Sequence, residues 1–280
     1  MKRLLLTGSS GLIGSNLTTS VPPDIQIITL DRHEFPSEKL GEFDYIIHSA
    51  GYAQPTKFLA DEIATISVNT TMTMALFKRL KSDGKFLYMS SSEVYNGTPP
   101  PQNETQIGTT DPTHPRACYI EGKRCGEAIC MAYRRLGYEA KIARLSLTYG
   151  GTRKGDTRAL NHFIEQALTK KEIRLMDKGE AKRTYLYVDD AVKILWDILL
   201  KGTQPIYNVG GTSRTTIAEL AYKIGELTGA EVILGDKGLA GAPDDVCLDM
   251  GLVLTEFGSR EFTGLEEGLK KTIEWQKNFS

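Results

Sequence analysis

Apolar positions along the chain follow two rhythms. Short unbroken runs recur in "RLLLTG", "IQIITLDR", "DYIIHSAG", "KFLYMSSSEVY" and "AKIARLSLTYG". Continuous runs of this length, bounded by glycine and polar residues, predict strands buried on both faces. Helical periodicity fills the gaps over roughly 57–81 and from about Tyr119 to Leu136. Strand and helix alternate throughout, which predicts a doubly wound parallel sheet. After about Gly150 the pattern loosens. A polar loop enters a helix in "GTRKGDTRALNHFIEQAL", a loop of the kind that closes over a substrate. "YNVGG" reads as a short strand, and "RTTIAELAYKIGELTG" as an amphipathic helix capped by Thr215 or Thr216 and stopped by Gly229. The expected division is a dinucleotide-binding part over 1–150, with later returns to it, and a mainly substrate-binding part over 151–280.

Composition narrows the function. The chain has 280 residues, 40% hydrophobic and 25% charged, with a formal net charge of −1. Nothing in that balance points to nucleic acid or a membrane surface. The three leucines before Thr7 are too short a run for a signal-peptide core. No stretch approaches the roughly 18 apolar residues of a membrane span. Cys118, Cys125, Cys130 and Cys247 have neither C-x-x-C spacing nor neighbouring histidines. Reduced thiols in a cytoplasmic protein fit that usage better than a structural zinc.

The first βα turn carries candidate chemistry. In "RLLLTGSSGLIGSNL" Gly8, Gly11 and Gly14 are spaced G-x-x-G-x-x-G between a strand and a helix. Such glycines allow a tight turn, close approach of backbone to a pyrophosphate, and close helix–strand packing. Leu12 and Ile13 belong to the same turn. Asp31 ends the second strand about 20 residues on, where an acid accepts hydrogen bonds from an adenosine ribose. Its charge disfavours a 2′-phosphate, so NAD is expected over NADP, although Arg32 beside it keeps NADP open. Ser49, Ala50 and Gly51 follow the third strand as further cofactor contacts. Strand ends bring Gly8, Ala50, Ser91 and Tyr119 to one edge of the sheet. His48, just before that turn, is expected to pack rather than ligate. In "ACYIEGKR", Tyr119 and Lys123 share one helix face, one turn apart.

Taken in order, "TGSSGLIG", "DYIIHSAG", "SVNT", "SSSEVY", Tyr119-x-x-x-Lys123 and "RTYLYVDDA" resemble the extended short-chain dehydrogenases that act on nucleotide sugars. The resemblance spans nearly the whole chain. Within the family, "SSSEVY" with "CYIEGKR" looks most like the UDP-glucuronate decarboxylases. It implies Ser91, Tyr119 and Lys123 as a catalytic triad working with NAD. A free phenol has a pKa of about 10, and a neighbouring ammonium and an oxidised nicotinamide would lower it by about two to three units. Tyr119 then takes the proton from the sugar 4-hydroxyl, Lys123 holds the nicotinamide ribose, and Ser91 binds the oxygen that becomes a ketone. Glu93 shares a strand face with Ser91 and is expected to act at C5 or orient the ring. Ser92, Tyr95 and Arg183 are the candidate substrate contacts, with packing against the sheet edge as the alternative for Tyr95. Asn69 is expected to brace the helix near Lys123. Family members usually form homodimers through the helices at about 57–81 and 119–136.

Three departures accompany the resemblance. Only 13 positions separate Asp31 from Asp44, which predicts that the usual third strand is missing and the adenine more exposed. Leu147 stands where decarboxylases have an asparagine, and Ala242 where an arginine commonly binds the diphosphate. Decarboxylation, 4,6-dehydration and 4-epimerisation therefore all stay open. A net 4-keto-sugar reductase or dehydrogenase is a second class, and a non-enzymatic dinucleotide-binding protein a third.

Overall fold

The computed structural model describes residues 1–30, 36–152, 155–237 and 245–279. The chain opens with strand β1 (Lys2–Thr7), helix α1 (Leu12–Thr19), strands β2 (Ile25–Leu30) and β3 (Phe43–His48), then helices α2 (Pro55–Phe58), α3 (Glu62–Asn69) and α4 (Thr71–Phe77). Strand β4 (Leu80–Ser91), helix α5 (Ala117–Arg135), and strands β5 (Glu139–Leu145) and β6 (Leu147–Tyr149) follow. The remainder comprises α6 (Ala159–Lys170), β7 (Glu172–Arg174), β8 (Lys182–Tyr187), α7 (Val188–Lys201), β9 (Ile206–Val209), β10 (Ser213–Thr216), α8 (Ile217–Thr228), β11 (Glu231–Ile233), α9 (Gly251–Phe257) and α10 (Leu265–Phe279).

The large sheet is parallel, in the order β2-β1-β3-β4-β5-β9. The chain runs outward from β1 to β2 and then in the other direction from β3 to β5. Their junction, β1 against β3, is the switch point at which such sheets open a crevice. Among the described residues β2 is the sheet edge, and one 3-10 turn (Glu38–Leu40) is the only element between β2 and β3. This fits the missing third strand expected from the Asp31–Asp44 spacing.

Period-two alternation explains the unbroken apolar runs. Leu4, Leu6, Ile47, Leu87, Met89, Ala143 and Leu145 face one core, shared with residues of α6, α7 and α8. Leu5, Ile46, Phe86, Tyr88, Ala140 and Ile142 face the other, with residues of α4 and α5. Leu4, Leu5 and Leu6 are fully buried, each contributing about 2 kcal/mol of transfer free energy. Two small sheets stand apart in pairing, β10-β8-β6 and β11-β7.

The helical stretch over 57–81 is not one helix. Asp61 starts α3 by accepting the Ala64 N–H at 2.9 Å. Thr70 breaks the run at φ −113°, ψ −75°. Around it, hydroxyls hydrogen-bond backward: Thr70 to the Ile66 carbonyl and Thr73 to the Asn69 carbonyl, at 2.9 and 2.7 Å. Such bonds compete with regular helix. Thr216 is the cap of α8, in a reciprocal capping box with Glu219, and Gly229 ends the helix at φ +72°.

His48 fastens the switch point. A carbonyl only accepts, so Nε2 donates to Val68 O at 2.8 Å, and Nδ1 must accept from the Thr7 hydroxyl at 2.7 Å. Thr7 in turn accepts the Ala50 N–H at 3.1 Å. One neutral tautomer therefore links β1, β3 and α3. Burial pushes the imidazole down to about 4, opposed by the Val68 bond and helped by the Lys123 charge. The unfolded chain binds the proton first, so stability is complete above about 6.5 and lost as pH falls towards 4. The span corresponds to about 3 kcal/mol. Melting temperature should fall over this window, and His48→Gln should flatten the slope there while melting lower at every pH. An equally steep slope in the variant would refute this role.

Candidate active site

The glycine turn lies against the turn that follows β3. Gly8 has φ +72°, a left-handed conformation that favours glycine. A Cβ there would lie 2.7 Å from Ser49 and Ala50 backbone atoms. A Cβ on Gly14 would lie 2.1 Å from Gly8 O. Gly11 caps α1 with no side-chain hydrogen bond, so the first N–H groups of that helix meet no capping side chain. Leu12 and Ile13 are half-buried, as are Ser49 and Ala50, and Gly51 is exposed. A Cβ on Gly51 would come 3.6 Å from Lys123 Nζ, so the two turns and the end of the Lys123 side chain share one locality. A bare helix N-terminus beside backbone that approaches this closely suits a pyrophosphate. Asp31 and Arg32 lie outside the described residues, as does Ala242.

β4 and α5 supply the reactive groups. Ser91 ends β4 and caps the following 3-10 turn, Ser92–Tyr95, by accepting the Glu93 N–H at 3.2 Å. Its hydroxyl also hydrogen-bonds the Tyr119 phenol. Tyr119 is 7% exposed and Lys123 5% exposed. Lys123 Nζ donates to Met89 O at 2.7 Å and lies 5.1 and 5.8 Å from the Tyr88 and Tyr119 ring centroids. Burial lowers its pKa to about 8, opposed by Glu127. Burial raises the Tyr119 phenol to about 12, with Glu93 adding to the rise. The Ser91 bond and the charges of Arg116 and Arg158 pull the other way. In this state the phenol keeps its proton at neutral pH.

Glu93 lies in the 3-10 turn after β4 rather than on a strand face shared with Ser91, because β4 ends at Ser91, and it acts electrostatically on the phenol. Its Oε1 pairs with Arg116 Nη2 at 2.7 Å, while burial raises its carboxyl, against the pull of Arg116, Arg183 and His114. Arg183, on β8, bonds the Lys182 carbonyl at 2.8 Å and acts electrostatically on both Glu93 and Tyr185. Glu93 Oε2, Arg116 Nε and the Tyr185 hydroxyl are buried and find no hydrogen-bond partner among the described residues. Ser92 is buried at the start of the turn. Tyr95 takes the packing alternative. It is 2% exposed, its hydroxyl donates to Asn208 Oδ1 at 2.8 Å and accepts from Arg144 Nη1 at 2.9 Å. Asn69 is fully buried, donates to Thr65 O at 2.8 Å and accepts the Tyr88 hydroxyl at 2.9 Å, one ring away from Lys123. Leu147 presents an exposed apolar side chain on β6, paired in register with Tyr185.

Sequence reasoning missed several neighbours. Phe58 stacks on Tyr119 at 4.7 Å between centroids, with 12° between planes. Arg116 lies over the other residue's ring, 5.3 Å from the Phe58 centroid. Arg116 stands three positions before Tyr119, a helical spacing that flags it in hindsight. Arg158 is held by buried Asp156, and the adjacent Thr157 hydroxyl bonds Thr56 at 2.8 Å, joining this loop to α2. Nothing in the local sequence marks that long-range contact.

Residues 4–210 match the model of the NAD dependent epimerase/dehydratase family. UDP-glucuronic acid decarboxylase 1 of Danio rerio is 32% identical over 305 aligned positions, covering 98% of this chain and 72% of that protein. UDP-glucuronic acid decarboxylase 6 of Arabidopsis thaliana is 32% identical, over 87% of this chain and 78% of its own length. Among solved structures, the UDP-glucose 4-epimerase of Thermotoga maritima shares the fold with TM-score 0.87, 22% identity and 99% coverage of both chains. The UDP-glucuronic acid 4-epimerase of Bacillus cereus, solved with NAD, has TM-score 0.86 and 20% identity over 99% of this chain and 100% of its own.

The glycine geometry predicts a graded effect on cofactor binding. Gly14→Ala forces the turn apart, at a cost of about 1–3 kcal/mol, and should weaken NAD binding by roughly ten- to a hundredfold in calorimetry. Gly264→Ala, where a methyl meets open space, should bind NAD as the parent does. Equal affinities for all three proteins would mean that this turn does not hold the cofactor.

Proposed function

The chain belongs to the NAD dependent epimerase/dehydratase family, and we propose that it decarboxylates a UDP-hexuronate by oxidising the sugar transiently at C4. The broader activity, NAD-dependent modification of a nucleotide sugar, follows from its relatives. The observation that carries the decarboxylase reading is Glu93, a half-buried carboxyl that acts on Tyr119 and has three cationic or basic side chains around it. The glycine turn (Gly8, Gly11, Leu12, Ile13, Gly14), Ser49, Ala50, Gly51, Tyr119 and Lys123 would hold the cofactor. NAD, when bound, supplies the acceptor for the hydrogen leaving C4 and a positive charge beside the phenol.

On this reading Ser91 hydrogen-bonds the C4 oxygen, and Tyr119 takes the hydroxyl proton. The Lys123 ammonium favours the phenolate. The C4 ketone makes the C6 carboxylate part of a β-keto acid. The C5–C6 bond then breaks, carbon dioxide leaves, and the electron pair becomes an enolate across C5, C4 and oxygen. Glu93, whose carboxyl is raised by burial, is suited to return a proton to C5, and on return of the hydride to C4 Tyr119 would give its proton back to the C4 oxygen, so that no net NADH forms. Arg116 and Arg183 offset the substrate's negative charge, and Glu93 Oε2, Arg116 Nε and the Tyr185 hydroxyl are groups that a sugar carboxylate or hydroxyl would satisfy. Ser92, buried next to Glu93, is a further substrate contact. The small sheets with α6 and α8 would form the substrate-binding part over 151–280.

A homodimer is supported by apolar faces on neighbouring helices. Ile63 and Ile66 of α3 and Met74 of α4 are exposed, as is Cys125 on α5, which packs against α3. Light scattering should give twice the chain mass, and Ile63→Asp with Ile66→Asp should halve it. The free state of all four thiols fits a cytoplasmic location.

Incubation with UDP-glucuronate and NAD should give a product lighter by one carbon dioxide, with no lasting NADH. Tyr119→Phe should slow this by roughly a thousandfold, within the range for loss of a general base. Glu93→Gln should leave cofactor reduction and carbon dioxide release observable while slowing protonation at C5, so that reduced cofactor accumulates. Loss of water, or unchanged mass with a new sugar configuration, would replace decarboxylation by dehydration or epimerisation. No turnover of any UDP-sugar would overturn the uridine-linked substrate.

A further inference from the structure

One polar rung crosses the apolar α5 face of the large sheet. Ser90, Arg144 and Asn208 are register partners on β4, β5 and β9. Glu127 of α5 covers the rung. Arg144 Nε and Nη2 donate to its two oxygens at 2.9 and 2.7 Å, and the Ser90 hydroxyl donates to Oε1 at 2.5 Å. Arg144 Nη1 also bonds the Tyr95 hydroxyl and the Glu104 carbonyl, at 2.9 and 3.0 Å. Three of these residues adjoin the reactive groups. Ser90 precedes Ser91, Tyr95 ends the turn that carries Glu93, and Glu127 is one helical turn beyond Lys123 and two beyond Tyr119. Glu127 and Arg144 are 6% and 3% exposed.

A buried ion pair gives little net stability, because a well-packed apolar pair of similar volume often does as well or better. Its position is the more informative property. The charged and titratable groups around Lys123 are Tyr119 and Glu127 on its own helix, Tyr88 on β4 and His48 on β3. His48 is neutral and the tyrosines keep their protons, so Glu127 is the one anionic group acting on Lys123 among the described residues. We propose that Glu127, clamped by Arg144 and Ser90, is a positioning residue that keeps Lys123 charged and fixes α5 against the end of β4. The electrostatic direction agrees: Glu127 raises the lysine against the lowering due to burial.

The proposal rests on Lys123 serving the reaction, but its test needs no sugar. The Lys123 ε-ammonium of the full chain with NAD bound is titrated by NMR of isotope-labelled lysine, its signal assigned by loss in Lys123→Met. Glu127→Gln should lower the midpoint by about one pH unit, a tenfold loss of ammonium above both midpoints. Glu127→Asp, which keeps the charge, should restore most of the difference. If Glu127→Gln does not fold, the double variant Glu127→Leu/Arg144→Met removes the pair with volume retained and should lower the midpoint likewise. In turnover, a lost negative charge should move both limbs of the kcat/KM profile to lower pH as well as reduce the plateau. An unmoved lysine midpoint, with or without lost activity, would mean a purely structural pair and overturn the proposal.

Discussion

Burial of an amine beside a phenol on one helix is the constraint around which the site is organised. Lys123 and Tyr119 are nearly inaccessible, and water's absence pushes both towards their neutral forms. Every nearby arrangement bears on that penalty. The Met89 carbonyl receives the ammonium, the Tyr88 face lies under it, and Glu127 supplies an opposite charge. Close approach of α5 to the sheet depends on Gly126, where a Cβ would lie 2.2 Å from the Tyr88 hydroxyl. Around the phenol, Ser91, Arg116 and Arg158 favour ionisation, while Glu93 and burial oppose it.

The balance leaves the phenol protonated in the structure described. On the proposed function, cofactor binding adds the charge that converts it into a base. This ties catalysis to occupancy of the switch point between β1 and β3, where the glycine turn and the His48-braced turn meet.

Much of the arrangement is legible in the chain because local spacing determines it. The strand runs, the three glycines and the Tyr119–Lys123 interval each specify geometry over a few residues. The short interval after Asp31 likewise foretells a sheet edged by β2 among the described residues. What was not legible depends on contacts between distant segments. Arg158 acts electrostatically on the phenol from a loop joined to α2, and Phe58 stacks on Tyr119 across 61 positions of chain. Tyr95 sits at the right strand end for a sugar contact, yet the buried Arg144 turns it inward. Asn69 is expected from the sequence to brace the helix near Lys123, whereas its side chain bonds Thr65 of its own helix and Tyr88 of β4, whose ring lies by the lysine. The helical stretch expected over roughly 57–81 is divided among α2, α3 and α4 and ends before β4, and periodicity does not register threonine hydroxyls that bond back to the preceding turn.

The most direct measurement is a near-ultraviolet titration of tyrosine ionisation, with and without NAD, in the parent chain and in Tyr119→Phe. With NAD bound, the Tyr119 phenolate should appear at clearly lower pH than without it, and this ionisation should be missing from the variant under both conditions. A Tyr119 phenolate that appears at the same pH with and without NAD would contradict the coupling of cofactor binding to Tyr119.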